Sequence, residues 1–190
     1  MRVVVVTPPA PVVTLDEAKS HLRVRHNDED ALIEAYVTAA TAHIDGPAGW
    51  LGRSIGEQVL EARFSLIFEG NANEIRLPFG PVVELVGVRY RDYDETEQDA
   101  DLADFELAGD TLRRPGRPSL WEGGSLRDEA ATVQYRTGYA EPPAPIRAAI
   151  LMMVGDLYAN RETVAIGASA AAIPMSTAPA RLLSLYRVFT

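Results

Sequence analysis

The acidic run DYDETEQDAD, residues 92–101, holds the side chains best suited to metal chemistry. The oxygen-bearing residues with the alternating spacing of a calcium-binding loop are Asp92, Asp94, Thr96 and Asp101. However, Glu97 stands where the sharp turn of such a loop needs glycine, and Ala103 stands where a bidentate glutamate belongs. We therefore predict a solvated hairpin loop here, with a metal site as the alternative.

Other catalytic patterns are missing from the sequence. His21, His26 and His43 form no H-x-x-x-H pair, so we interpret them as surface or interface residues. The sequence contains no G-x-S-x-G nucleophile elbow and no glycine-rich phosphate loop. It also contains no cysteine, which excludes thiolate catalysis, disulfides and cysteine-ligated metal sites. We predict no enzyme activity, no cofactor and no metal.

The length and charge of the chain limit which classes of protein it can belong to. A chain of 190 residues with 47% hydrophobic residues fits one domain with a real core. Its net charge of −9 argues against a protein that binds nucleic acid by neutralising phosphates. The same charge is compatible with a surface that DNA slides past. No apolar run has the length of a bilayer span, and the start lacks a signal-peptide pattern, so we expect synthesis in the cytoplasm without a membrane partner.

The first 45 residues predict an arm and two helices. Residues 1–13 contain Pro8, Pro9 and Pro11, which favour an extended N-terminal arm that cannot join a central strand. Thr14 and Glu17 form a capping box before a helix over about 15–23. A second helix spans about 28–45, with Asn27 or Asp28 as its cap, within a helical region of 14–45. Its apolar arc is wide and rich in alanine, which is typical of a helix packed on two sides.

Residues 57–137 show the two-residue period of strands. Leu60, Ala62, Phe64, Leu66 and Phe68 alternate with polar residues. A further strand over 82–90 has one predicted face, formed by Val82, Val86, Val88 and Tyr90. Shorter strands are predicted at 74–78, 105–107, 111–113 and 132–136. Turn-forming segments separate them, so we expect a small antiparallel sheet or sandwich.

The stretch YRTGYAEPPAPIRAAI, residues 135–150, joins this sheet to a helix. Its predicted hinge residues are Gly138, Pro142, Pro143 and Pro145. Pro145 suits the first turn of an amphipathic helix over about 146–160, within the region 145–161. A loop over 164–179 and an apolar, basic tail over 180–190 complete the C-terminal region 164–190. Trp50 and Trp121 lie beside glycines and are interpreted as packing residues, with base stacking as the alternative.

The predicted fold class is therefore α+β, in one domain over 1–190. A helical bundle of two N-terminal helices and the helix at about 146–160 accompanies a small antiparallel β-sheet or sandwich in the middle. An extended C-terminal tail follows.

Four stretches in order resemble the head–tail connector (adaptor) family of long-tailed phages and gene transfer agents. They are residues 14–44, 75–92, 133–162 and 180–187, the third reading VQYRTGYAEPPAPIRAAILMMVGDLYANRE. Members of that family often have proline before the final tyrosine–arginine pair, where this chain has Leu185. We therefore expect the tail to be more helical here than in its relatives.

The resemblance implies a structural virion protein at the head–tail interface, assembled in the bacterial cytoplasm. Such adaptors form a homo-oligomeric ring, here expected as a dodecamer, beneath the portal protein. The implied partners are further copies, the portal, a tail-side head-closure (stopper) protein, and double-stranded DNA passing through the channel without sequence-specific binding. The alternatives are a head-closure or tail-completion protein, and a metal-dependent α+β enzyme or ligand-binding domain.

Three groups of residues are assigned hypothetical roles in assembly. The tail should bind the portal through Arg181, Leu182, Leu183, Leu185, Tyr186, Arg187, Val188 and Phe189. A subunit interface is expected at Ala35, Tyr36, Ala39, Ala40 and His43, because small side chains let backbones approach closely. Acids expected to face the channel are Asp92, Asp94, Asp99 and Asp101, because like charge prevents DNA phosphates from sticking.

Overall fold

The computed structural model describes residues 1–65, 74–116, 124, 125, 127–160 and 177–189. These residues form helices and antiparallel sheets, so the predicted α+β class is confirmed. The chain divides into two compact units. A sheet unit contains residues 1–10 and 56–140, and a helical unit contains residues 11–55 and 141–190. The expectation that 1–190 acts as a single domain stays a prediction.

The sheet unit contains two antiparallel sheets. Its strands are β1 (Arg2–Thr7), β2 (Gln58–Phe64), β3 (Glu74–Arg76), β4 (Val82–Arg91), β5 (Glu97–Asp99), β6 (Glu106–Ala108), β7 (Thr111–Arg113) and β8 (Ala131–Thr137). The larger sheet has the order β1-β2-β8-β4-β5, and the smaller sheet has the order β3-β7-β6. The predicted antiparallel arrangement is therefore correct.

A shared apolar core joins the two sheets. Strand alternation points one side of β2 and β8 inward, and the smaller sheet contributes further apolar side chains. The fully buried core residues include Leu60, Phe64, Leu77, Leu112, Val133 and Tyr135. The Tyr135 hydroxyl donates a hydrogen bond to the carbonyl of Pro78 at 2.9 Å, so this polar atom is satisfied inside the core.

Strand β4 departs from the predicted alternation. Its pairing with β8 shifts register between Val82 and Glu84 and again between Leu85 and Gly87. Each irregularity adds a residue and moves the following side chains to the other face. Val86 is consequently 43% exposed, while Leu85 packs against the core. The prediction that Val86 shares one face with Val82, Val88 and Tyr90 was wrong for this reason.

The N-terminal residues are not a free arm. Residues Arg2–Thr7 pair with β2 as an edge strand, which corrects the predicted arm over 1–13. The prolines begin only at Pro8, beyond the paired segment, so they do not prevent pairing. Val13, which belongs to the same predicted arm, is 1% exposed and lies in the core of the helical unit.

The helical unit contains α1 (Leu15–Leu22), α2 (Asp30–Ile44), α3 (Ala144–Ala159) and α4 (Thr177–Leu183). The predicted capping box is confirmed, since Thr14 accepts from the Glu17 N–H and Glu17 accepts from the Thr14 N–H. Pro145 lies in the first turn of α3, as predicted. The N-cap of α2 is Glu29, which corrects the prediction of Asn27 or Asp28.

Helices α1, α2 and α3 pack against one another, and α4 packs against α3. The buried residues of α3 are Ile146, Ala149, Ile150, Met153 and Val154. Leu157, near the end of α3, is 38% exposed. An ion pair between Arg147 and Glu17 adds a polar link between α3 and α1.

Helix α4 begins at Thr177, so the last three residues of the predicted loop over 164–179 are helical. The remainder of that loop, together with Leu66, Phe68 and Trp121, lies outside the described residues. None of the described helices has the length and apolar composition needed to cross a bilayer.

Candidate functional site

The C-terminal segment, residues 180–189, is anchored to the helical unit. Leu183 at the end of α4 is fully buried, and a 3-10 turn over Ser184–Tyr186 follows directly. Beyond the turn, the Val188 N–H donates to the Leu51 carbonyl at 2.8 Å. This corrects the expectation of an extended tail. Leu183 is also removed from the predicted portal-binding group, because its side chain is already buried within the protein.

A glycine makes this anchorage possible. Gly52 has a φ of +65°, in the region that favours glycine. A Cβ at this position would lie 2.5 Å from the carbonyl oxygen of Val188. Any side chain here would therefore force the C-terminal segment away from Leu51.

Arg187 lies close to two aromatic rings. Its guanidinium lies 4.2 Å from the centroid of the Trp50 ring and 4.6 Å from the centroid of the Phe189 ring. Both distances are in the range of cation–π attraction. Arg187 therefore already has partners within its own unit, and Trp50 has the packing role that the sequence predicts.

Two apolar side chains of the segment stay in solvent. Leu185 is 91% exposed and Phe189 is 82% exposed, the two largest values among the exposed large hydrophobic residues. Leu182, Tyr186 and Val188 are half-buried, and Arg181 is exposed. Isolated exposed apolar residues are common, but two of them on one anchored segment are candidates for burial by a partner. We call Leu185 and Phe189 the tail pair.

The apolar and alanine-rich arc of helix α2 divides into a buried face and an exposed face. Its buried face consists of Ile33, Val37, Ala40 and Ile44. The predicted interface residues Ala35, Ala39 and His43 are exposed, and Tyr36 is half-buried. Ala40 is only 3% exposed and packs inside its own unit, which corrects its assignment to a subunit interface.

Gly138 lies shortly before the chain passes from the sheet unit to the helical unit between residues 140 and 141. Its φ is +106°, and a Cβ there would lie 2.1 Å from the carbonyl oxygen of Gly56. Pro143 is the extended N-cap residue of α3, with a φ of −52° and a ψ of 139°. Only glycine fits at position 138, while the role of Pro142, Pro143 and Pro145 as a hinge stays a prediction.

The acidic run forms a hairpin in which two carboxylates, those of Asp92 and Asp101, accept hydrogen bonds from the run itself or from the residues directly after it. Asp92 accepts hydrogen bonds from the backbone N–H groups of Asp94 and Thr96 and from the side chain of Gln98. The Gln98 bond is the main cause that lowers the pKa of Asp92. Asp101 accepts from the Ala103 N–H. The described residues contain no group of His, Asp or Glu side chains arranged to hold a metal.

Glu61 is a buried carboxylate on the polar side of the strand pattern, to which the sequence assigns no role. It is 7% exposed and accepts from the Gln134 amide at 2.8 Å. Arg63 lies 2.7 Å away and Arg89 3.5 Å away. The Gln134 hydrogen bond is the largest contribution that lowers the pKa of Glu61. Partners on three strands hold this charge, so strand alternation alone could not have revealed it.

Known proteins resemble this chain in both sequence and fold. A family model described as phage gp6-like head–tail connector protein matches residues 12–105. This match, over just under half of the chain, agrees with the resemblance of the sequence motifs to the head–tail connector family. No curated protein matches the chain.

Solved structures of gene transfer agent (GTA) particles share the connector's fold. The neck of an empty GTA particle computed with C6 symmetry matches with a TM-score of 0.77 and 18% identity. The virion of a native GTA particle matches with a TM-score of 0.70 and 19% identity. The neck of a native GTA particle computed with C12 symmetry matches with a TM-score of 0.69 and 16% identity. Each alignment covers 100% of this chain and 97% of the other.

Proposed function

We propose that this protein is a structural virion protein that connects the DNA-filled head of a phage or gene transfer agent to its tail. The family match over residues 12–105 carries the proposal. The full-length similarity to chains in GTA necks supports it, since it extends over both units. The family and the matched structures are structural proteins of particles, which favours this role over an enzyme. The protein would act at the neck of the particle.

The connector would work as a ring of identical copies beneath the portal. One related neck was computed with C12 symmetry, which supports twelve copies. A tail-side closure protein would bind the opposite face of the ring, and double-stranded DNA would pass through its channel. Electron microscopy of particles made with the tagged chain tests this role. Density for a ring of this chain at the neck is expected, and its absence from the neck would overturn the proposal.

The tail pair is the proposed portal-binding element. Leu185 and Phe189 are exposed on an anchored segment, so a partner can bury them without first unfolding it. Deleting residues 180–190 is a poor test, because it also removes the buried Leu183. The double variant Leu185→Ser/Phe189→Ser keeps the anchor and should abolish capture by the cognate portal. Val83→Ser, at a 48% exposed position on β4, is the matched control and should bind normally. Undiminished capture of the double variant would refute this assignment.

The exposed side of α2 is the proposed subunit interface. Ala39→Glu places a charge on the exposed side and should block ring assembly while the chain stays folded. Ala40→Glu places the charge in the core of the helical unit and should unfold it. Circular dichroism and light scattering of the two variants separate these outcomes. Normal rings from the Ala39 variant would exclude the interface.

The acidic hairpin is proposed to line the channel, and its exposed carboxylates are the ones suited to that role. Asp94 and Asp99 are exposed, whereas Asp92 is half-buried and fixed by its own turn. Asp101 is exposed but caps the following 3-10 turn. Repulsion would reach only about 8–10 Å at physiological salt. Asp94→Lys should therefore leave rings intact and impair DNA exit, and normal delivery would exclude a channel role for Asp94.

A further inference from the structure

The two edges of the five-stranded sheet differ in length and chemistry. At one edge, β1 has six residues and exposes Val4, Val5 and Val6 at 37%, 41% and 49%. At the other edge, β5 has three residues, two of them acidic. Among the described residues, no strand lies outside either edge.

Strand β1 has few of the features that prevent edge-to-edge pairing. Its outer N–H and C=O groups form a template for another strand, and such edges are usually protected by charges, prolines or bulges. The four central residues are valines. One register shift between Val5 and Thr7 and the proline that follows protect only the end of the strand. An edge of this composition is suited to binding a strand of a partner.

One cross-strand row identifies the partner. The paired residues along it are Arg2, Arg63, Thr132, Arg89 and Asp99, in that order across the sheet. Directly opposed residues lie on the same face, so the row begins with a cation at β1 and ends with an anion at β5. Arg63 and Arg89 are ion-paired with Glu61 and Glu97. Within the described residues, neither Arg2 nor Asp99 has an ion-pair partner.

We propose that β1 of one copy pairs with β5 of the next copy, with Arg2 facing Asp99. The complementary charges lie at the two ends of one row in a single chain, so a second copy of the chain supplies both. All neighbouring strands are antiparallel, hence β1 and β5 run in the same direction and pair in parallel when the sheet continues without inversion. Two different edges make a head-to-tail contact, which closes into a ring when the rotation allows. The inference rests on the proposed connector ring.

This assignment differs from a channel role for Asp99. A channel acid affects passing DNA and leaves the ring intact, whereas an acid between copies affects the ring itself. Charge reversal therefore separates the two roles.

The first test uses the full-length chain assembled with its cognate portal. Arg2→Glu and Asp99→Arg should each lower the yield of rings about tenfold, because one repulsive pair recurs at every contact between copies. The double variant Arg2→Glu/Asp99→Arg restores the attraction and should restore the yield. Asp94→Arg, on the same hairpin but outside the row, is the control and should leave the yield unchanged. Native mass spectrometry measures all four.

The second test uses the absence of cysteine from the natural chain. In assembled rings, Arg2→Cys/Asp99→Cys should give disulfide-linked ladders of copies on oxidation. The control Arg2→Cys/Glu106→Cys, with the second cysteine on the smaller sheet, should give none. Rings that assemble normally in both single reversal variants and give no ladder would overturn the edge pairing and leave the connector function standing. Failure of the natural chain to form rings with portal would instead contradict the connector proposal.

Discussion

The sheet unit and the helical unit differ in the kinds of surface through which each could bind a partner. The sheet unit exposes strand edges, whose backbone groups can pair with another strand, and carries exposed valines on β1 and β4. The helical unit satisfies its backbone within helices and exposes side chains instead, including the tail pair. Strand edges offer directional hydrogen bonds, whereas exposed apolar side chains offer area to bury. The difference suits the sheet unit to strand pairing between copies. It suits the helical unit to contacts through side chains, with another copy at α2 and with another protein at the tail pair.

The largest expected effect tests whether the two units unfold separately. Tyr135→Ala empties a fully buried site and should lower the free energy of unfolding by about 3–5 kcal/mol. Tyr135→Phe keeps the ring and loses only the hydrogen bond to Pro78, so about 1 kcal/mol is expected. Hydrogen exchange followed by mass spectrometry should show faster exchange in β2 and β8 than in α2 and α3. Equal acceleration in both units would mean that they unfold together.

The second prediction concerns two leucines of the C-terminal segment. Leu183→Ala should lower the free energy of unfolding by about 2–4 kcal/mol, because the side chain is fully buried. Leu185→Ala removes a 91% exposed side chain and should change it by less than about 0.5 kcal/mol. Urea denaturation gives both values. Similar values for the two variants would mean that the anchored and presented parts of the segment are not distinct.

A smaller effect is expected from releasing the anchor itself. Gly52→Ala should cost about 1–3 kcal/mol, because both the φ of +65° and the approach of Val188 oppose a Cβ. Gly109→Ala has a similar φ of +61° with open space around it, so it measures the backbone cost alone. Thermal melts give the loss of stability for each variant. The loss for Gly52→Ala minus the loss for Gly109→Ala is the cost of the steric clash with Val188. Equal losses of stability would show that the C-terminal segment moves away from residue 52 without a measurable loss of free energy.

The smallest effect is the response of each unit to acid. The pKa of Glu61 is lowered chiefly by the Gln134 hydrogen bond, and that of Glu17 chiefly by the Thr14 N–H. A lowered folded-state pKa stabilises the protein above the ordinary value of 4.5, and this stability is lost as the pH falls through the folded pKa. Glu61→Gln should flatten the decline in unfolding free energy below pH 4.5 more than Glu17→Gln does, since solvent screens the partners of the more exposed Glu17 more strongly than those of Glu61. Chemical denaturation at several pH values checks the order.

Local patterns were sufficient to predict several elements. The capping box of Thr14 and Glu17 begins α1, and Pro145 lies in the first turn of α3, because both signals act within one helical turn. Alternation along β2 identified Leu60, Ala62 and Phe64 as core residues. The family was likewise identified from ordered motifs in the sequence, and the comparisons confirm it.

Tertiary structure decided the features that depend on distant partners. The register shifts of β4 arise in its pairing with β8, so the exposure of Val86 could not be read from its own neighbours. The burial of Glu61 requires Gln134 and Arg89 from other strands. The anchoring of Val188 requires Leu51 and the space beside Gly52, both far earlier in the chain. Sequence determined the first turns of α1 and α3 and the alternation of β2, because those preferences are local. Packing decided which surfaces remain exposed, because that depends on residues brought together only by folding.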